Sequence, residues 1–130
     1  MIDRVTLLLI RNGKLLTARS RGKDVFYLPG GKREAGESDR ETLFRETREE
    51  LGAKILPGSE RLFGIFCGPA HAKPEGVQVR LVCYLAETEG ALSPCSEVEE
   101  LRWQGMEALS DLPPADVQVY RALFEQGLIR

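Results

Sequence analysis

The sequence predicts an α+β fold in which a mixed β-sheet carries helices on its faces. Three observations lead there. Segments of strand and helix character follow one another as strands, helix, strands, helix. The helix between Ser38 and Gly52 has both of its ends written in the chain. The strand segments are apolar, rich in Val, Ile and Leu, and bounded by Gly, Pro and Asn-Gly turns. At 130 residues the chain is long enough for one substantial core, and it reads as a single domain over residues 1–130. No repeat, low-complexity tract or linker breaks it.

Residues 4–10 carry Val, Thr, Leu and Ile and read as a buried strand. Asn12-Gly13 is a hairpin dipeptide that returns the chain as a second strand over residues 14–18. Arg19, Arg21 and Lys23 follow in a loop with Gly22. They form either a solvated turn or a basic rim that steers an anionic ligand toward the acidic helix downstream. In the short apolar run 25–28, one of Phe26 and Tyr27 faces the core, and the other is placed either to pack or to stack on a base.

The central helix starts with a capping box, Ser38 and Glu41 three residues on, and Gly52 stands where a left-handed residue ends it. At roughly 100° per residue, Leu43, Phe44, Thr47 and Leu51 form the buried arc. Glu46, Glu49 and Glu50, at i, i+3 and i+4, form a neighbouring acidic arc. Like charges so spaced repel by a few tenths of a kcal/mol per pair, order of magnitude. A hard cation such as Mg²⁺ relieves that repulsion and takes waters and phosphates as its other ligands. Glu41, Arg45 and Glu49 also fit an ordinary solvated face of alternating sign. The glycine loop Leu28-Pro29-Gly30-Gly31 ahead of the helix favours a site, because glycine lets backbone approach a ligand closely.

Residues 54–56 read as a short strand, 61–67 and 77–86 as longer ones, and 68–76 as a Gly- and Pro-rich loop holding the one histidine, His71. In the strand over 77–86, Val77, Val79, Leu81, Cys83 and Leu85 share one face; Gln78, Arg80, Val82 and Tyr84 share the other. Gln78 and Arg80 flank any cleft on that second face, and Arg80 either binds phosphate or pairs with an acid. Glu97 begins the acidic run 97–100 before a strand that includes Trp103. Residues 106–109 suggest a helical turn. Pro113 or Pro114 opens a last helix whose apolar stripe is Val117, Tyr120, Leu123, Phe124 and Leu128, with Gly127 at its end.

Residues 31–53 resemble the Nudix box, G-x5-E-x7-R-E-U-x-E-E-x-G-U, with U a bulky apolar residue. Gly31, Glu37, Arg45, Glu46, Glu49, Glu50 and Gly52 occupy its fixed positions; Thr47 and Ala53 stand where larger aliphatics are usual. The resemblance implies the Nudix α/β/α sandwich, Mg²⁺ or Mn²⁺ as cofactor, and hydrolysis of a small nucleotide's diphosphate linkage. It implies metal ligands from Glu46, Glu49, Glu50 and the Gly30 carbonyl, with Glu37 helping through water and Arg45 orienting a box glutamate. Glu49, then Glu46, is the candidate general base, with Glu97 as the alternative. The substrate is either a nucleoside triphosphate or a nucleoside diphosphate joined to another moiety such as ADP-ribose. The remaining alternative is a non-catalytic nucleotide sensor.

Charge and cysteine content narrow the class further. The net charge is −2 with both signs interspersed, so a long nucleic acid is not an expected partner. Three cysteines without paired spacing suit reduced thiols in a cytoplasmic protein, and one histidine gives little support for zinc. No signal peptide or membrane-spanning run is evident. A monomer or homodimer is expected.

Overall fold

The computed structural model describes residues 1–71 and 73–130; Ala72, within the loop expected at 68–76, lies outside the described residues. The first strand, β1 (Ile2–Leu8), begins two residues earlier than expected, and Ile10 belongs to a separate short strand, β2 (Ile10–Arg11). Asn12 and Gly13 take positive φ, 53° and 75°, as the hairpin turn requires, and β3 (Lys14–Ser20) returns antiparallel to β2. The chain then bridges Ala18 through Tyr27 and enters β4 (Gly30–Gly31). Helix α1 (Asp39–Leu51) follows, then β5 (Lys54–Ile55), β6 (Arg61–Pro69), β7 (Gln78–Leu85), β8 (Thr88–Glu89) and β9 (Val98–Gln104). A 3-10 helix over Met106–Asp111 extends the expected turn and leads into α2 (Pro114–Glu125).

The main sheet is mixed, in the order β4-β1-β7-β6. β1 and β7 run parallel from Ile2 opposite Val79 to Leu8 opposite Leu85, and the two outer pairings are antiparallel. A second, antiparallel sheet is ordered β2-β3-β9, and β5 pairs with β8. Because β1 is covered on both sides, alternate residues enter different cores. Val5, Leu7 and Leu9 pack with Leu43, Leu51 and Ile55 on the α1 side. Leu8 packs with Leu81, Cys83, Val119, Tyr120 and Leu123 on the α2 side. This two-sided burial is the physical reason for the consecutive apolar residues 7–9 at the end of β1 and just beyond it. Mixed sheets flanked by helices are therefore observed, as the sequence predicts.

Both expected ends of α1 are present. Ser38 and Glu41 make the reciprocal capping box, and Gly52 adopts φ 67° while its N–H closes on the Arg48 carbonyl. The buried face differs from expectation in two places. Phe44 is only partly buried, with the Arg40 guanidinium 4.3 Å from its ring centre. Thr42 and Glu50 are buried instead. In α2 the stripe is shifted. Ala115, Val119, Tyr120 and Leu123 form the ridge that meets the sheet, whereas Phe124 is 51% exposed and Val117 half-buried. Gly127 lies two residues past the end of α2. Among the described residues no helix is long and apolar enough to cross a membrane.

Candidate active site

Glu50 ties the helix to the sheet. It sits on the inward arc of α1, and its Oε1 accepts the Gly30 N–H at 2.9 Å. Burial pushes its carboxyl up to about 7; the Gly30 amide opposes the shift and nearby Glu46 adds to it. Glu46, one turn earlier, lies directly over Gly31, where any Cβ would overlap its carboxylate. Glycine leaves that space to the acid, and an added methyl group would push the carboxylate aside. Burial also raises Glu46 to about 7, with Arg45 opposing and the Glu49 charge reinforcing.

Arg45 organises the outer side of this acidic group. Its Nε donates to Glu37 at 2.6 Å, its Nη1 reaches Glu46 at 3.2 Å and Glu49 at 3.3 Å, and its Nη2 caps the Lys32 carbonyl at 3.1 Å. Glu37 also accepts the Thr42 hydroxyl and the Glu34 N–H. Arg45 is the leading cause that holds the Glu37 carboxyl down at about 2. One guanidinium therefore fixes the loop before α1 to the acids on it.

Glu46, Glu50 and Glu97 line one cleft of about 300 Å³ together with Arg4, Tyr27, Gly30, Gly31 and Lys32. Glu97 arrives on the strap before β9, which is pinned to the end of α1. The Ser93 N–H donates to the Leu51 carbonyl and the Cys95 N–H to the Glu50 carbonyl, at 2.9 and 3.0 Å. A second cavity of about 350 Å³ adjoins the cleft and shares Arg4, Tyr27 and Lys32 with it. Lys23, His71 and Lys73 stand on its lining, and Asp116, only 6% exposed, belongs to its wall. Burial raises the Asp116 carboxyl to about 6, against the opposing effects of Arg4 and the Leu28 amide.

A family model described as the NUDIX domain matches residues 1–126. The chain belongs to this family. It is 29% identical over 105 residues to an ADP-ribose pyrophosphatase of Methanocaldococcus jannaschii, a match covering 78% of this chain and 60% of that protein. It is 35% identical over 105 residues to an uncharacterised Nudix hydrolase of Streptomyces coelicolor, covering 77% of this chain and 52% of that one. The NUDIX chain thus spans little more than half the length of these curated relatives. The solution structure of the E. coli ORF135 protein matches with a TM-score of 0.76 at 30% identity, over 98% of this chain and 91% of that chain.

The NUDIX fold brings only some of the expected site residues together. Glu46, Glu50, Glu97 and Gly30 meet at the cleft. Glu49 lies at its outer margin, half-exposed and held by Arg45, and Glu37 stands behind Arg45. The expected substrate residues are placed elsewhere. Arg80 donates to both oxygens of Asp3, at 3.1 and 3.0 Å, on the α1 side of the sheet. Gln78 shares that face, while the second cavity opens over Val79 and Leu81 on the opposite face. Arg19 is paired with Glu99 and Glu100, which sit across the β3–β9 ladder. Arg21 holds the strap, its backbone N–H on the Glu97 carbonyl at 2.8 Å. Phe26 is buried under Arg102, 4.2 Å from its ring centre, and Tyr27 takes the position on the cavities.

Three residues at this site escape sequence reasoning: Arg4, Lys32 and Asp116. Arg4 carried a signal, since it is a charge at the head of an otherwise apolar strand. Asp116 carried none, since an acid in the first turn of a helix is ordinary dipole chemistry. Among the described residues no three His, Cys, Asp or Glu side chains are gathered closely enough to cage a cation alone. The donor set nevertheless suits Mg²⁺ or Mn²⁺. Two crowded carboxylates of raised proton affinity face an open cleft, and such ions are commonly held by one or two carboxylates plus waters and substrate phosphates.

Proposed function

We propose that this NUDIX domain is a divalent-cation-dependent hydrolase that cleaves the diphosphate linkage of a small nucleotide. The observation that carries this reading is the pair Glu46 and Glu50, half-buried and buried, at the mouth of a cleft that runs into a cation-lined cavity. Glu46 and Glu50, with Glu49 at the margin and the Gly30 carbonyl, would hold Mg²⁺ or Mn²⁺. Such an ion supplies charge neutralisation on the phosphates and a water nucleophile at neutral pH.

The chain's own residues account for the rest. Lys23, Lys32 and Lys73 draw the polyanion in and offset its charge. Tyr27, on the wall of both cavities, presents an aromatic surface where the nucleoside turns from one into the other. Arg45 donates to Glu46 and Glu49 and so orients both carboxylates. Glu49, half-exposed, accepts the proton of the attacking water; Glu46 is the next choice and Glu97 the alternative. The similarity to an ADP-ribose pyrophosphatase supports testing ADP-ribose beside the nucleoside triphosphates as substrates.

The test is a panel of nucleoside triphosphates, ADP-ribose and nucleotide sugars, with Mg²⁺ and with Mn²⁺, analysed for the products released. Glu49→Gln and Glu50→Gln should each reduce turnover by about 100-fold or more. Turnover that survives both substitutions would remove these roles. Nucleotide binding without turnover under either ion would identify a sensor instead.

A further inference from the structure

Arg4 differs from the other arginines around the site. Arg19, Arg33, Arg45 and Arg80 each lie within 3.0 Å of at least one carboxylate oxygen. Among the described residues Arg4 makes no ion pair. Its side-chain hydrogen bond runs from Nη2 to the Gly30 carbonyl at 2.9 Å, and its Cζ lies 6.0 Å from the centre of the Tyr27 ring. A guanidinium has five N–H donors, so most of its capacity is uncommitted. Arg4 is also partly buried, and the charges of Asp116, Glu46 and Glu50 reach it without a direct ion pair.

Its position is fixed by the sheet. Arg4 stands opposite Leu81 in the parallel β1–β7 ladder, on the face it shares with Thr6 and Leu8. From there it lines both the acidic cleft and the adjoining cavity. Lys32 also lines both, but as a point charge on a flexible stem. Only Arg4 offers a planar fork at the neck between them.

We propose that Arg4 anchors the phosphate nearest the nucleoside, taking two of its non-bridging oxygens at the neck where the cleft meets the cavity. This deepens the proposed function and rests on it. With Nη2 committed once, to the Gly30 carbonyl, the remaining N–H groups are free to grip a phosphate bidentately while that bond holds the fork in place. A nucleoside lacking phosphate has nothing for the fork to grip.

The test compares the unsubstituted protein with Arg4→Met and Arg4→Gln, the second retaining a donor for the Gly30 carbonyl without the charge. Calorimetry measures α,β-methylene nucleoside triphosphates of the four common bases and α,β-methylene ADP-ribose, with and without Mg²⁺, and NMR titration follows the matching nucleosides. Both variants should bind the nucleotide analogues about tenfold or more weakly, with nucleoside affinity unchanged. If Arg4→Met does not fold, Arg4→Gln reads the same difference. Undiminished nucleotide affinity, or an equal loss for nucleoside and nucleotide, would overturn the anchor while leaving the proposed hydrolase intact. Failure of the unsubstituted protein to bind any analogue would overturn both.

Discussion

The acidic cleft and the cation-lined cavity share Arg4, Tyr27 and Lys32, yet they are assembled in opposite ways. The cleft takes Glu46 and Glu50 from a single helix, so their closeness follows from helical spacing. The cavity takes Lys23 and Tyr27 from the segment after β3, Lys73 from the turn after β6, and Asp116 from α2. Nothing local brings these together; the parallel pairing of β1 with β7 beneath α2 does. A site made within one element is governed by that element's geometry, and a site made between elements is governed by the whole fold. The two should therefore fail separately.

The largest effect is expected from Gly31→Ala, which attacks the cleft alone. The added methyl group overlaps the Glu46 carboxylate and drives it from its place. Hydrolysis should fall by about 100-fold, while nucleoside binding in the cavity, followed by NMR titration, stays as it was. Wild-type turnover in this variant would show that Glu46 does not act from where it sits.

A smaller effect sharpens the contrast through pH. Glu46 and Glu50 are both raised to about 7, so protons compete with a cation in the cleft near neutrality. Mn²⁺ affinity measured by calorimetry should rise about tenfold between roughly pH 6 and pH 8 and level off above. A flat profile would mean that the two carboxylates are not desolvated as described.

Asp116→Asn should give the smallest change, and in stability rather than in cation uptake. The folded chain holds the Asp116 proton up to about 6, against an ordinary 3.8. Folding is thus favoured by this group below the lower value, and that contribution is lost as pH rises through the upper one. Removing the charge should raise the melting temperature by about 2–6 °C at roughly pH 8, with no gain at roughly pH 4. Equal shifts at both would deny that a buried charge is the cause.

The same division explains what was legible in the sequence. The capping box at Ser38 and Glu41, the left-handed Gly52 and the Asn12-Gly13 turn are short-range devices, and each is where its residues require. The central acids were legible because three carboxylates on one arc are visible in spacing alone. The inward turn of Glu50 was not, because it depends on the Gly30 amide reaching it from β4. For Arg80 and Arg19 the sequence leaves open a ligand role or a structural one, because the deciding partners are distant. Asp3 and Glu99 lie at least 77 positions away, and only strand pairing introduces them. The α2 stripe slipped for a related reason. Periodicity finds an apolar face, but the side on which the sheet lies decides that Val119 goes in and Phe124 stays out.

The strap before β9 has a mechanical consequence. Its backbone amides at Ser93 and Cys95 are fastened to the last carbonyls of α1, so Glu97 is tethered to the same rod that bears Glu46 and Glu50. If the rod tilts or slides when ligand enters, the strap travels with it, and the jaws of the cleft keep their spacing. Adaptation to differently sized ligands is then left to the wall of the adjoining cavity.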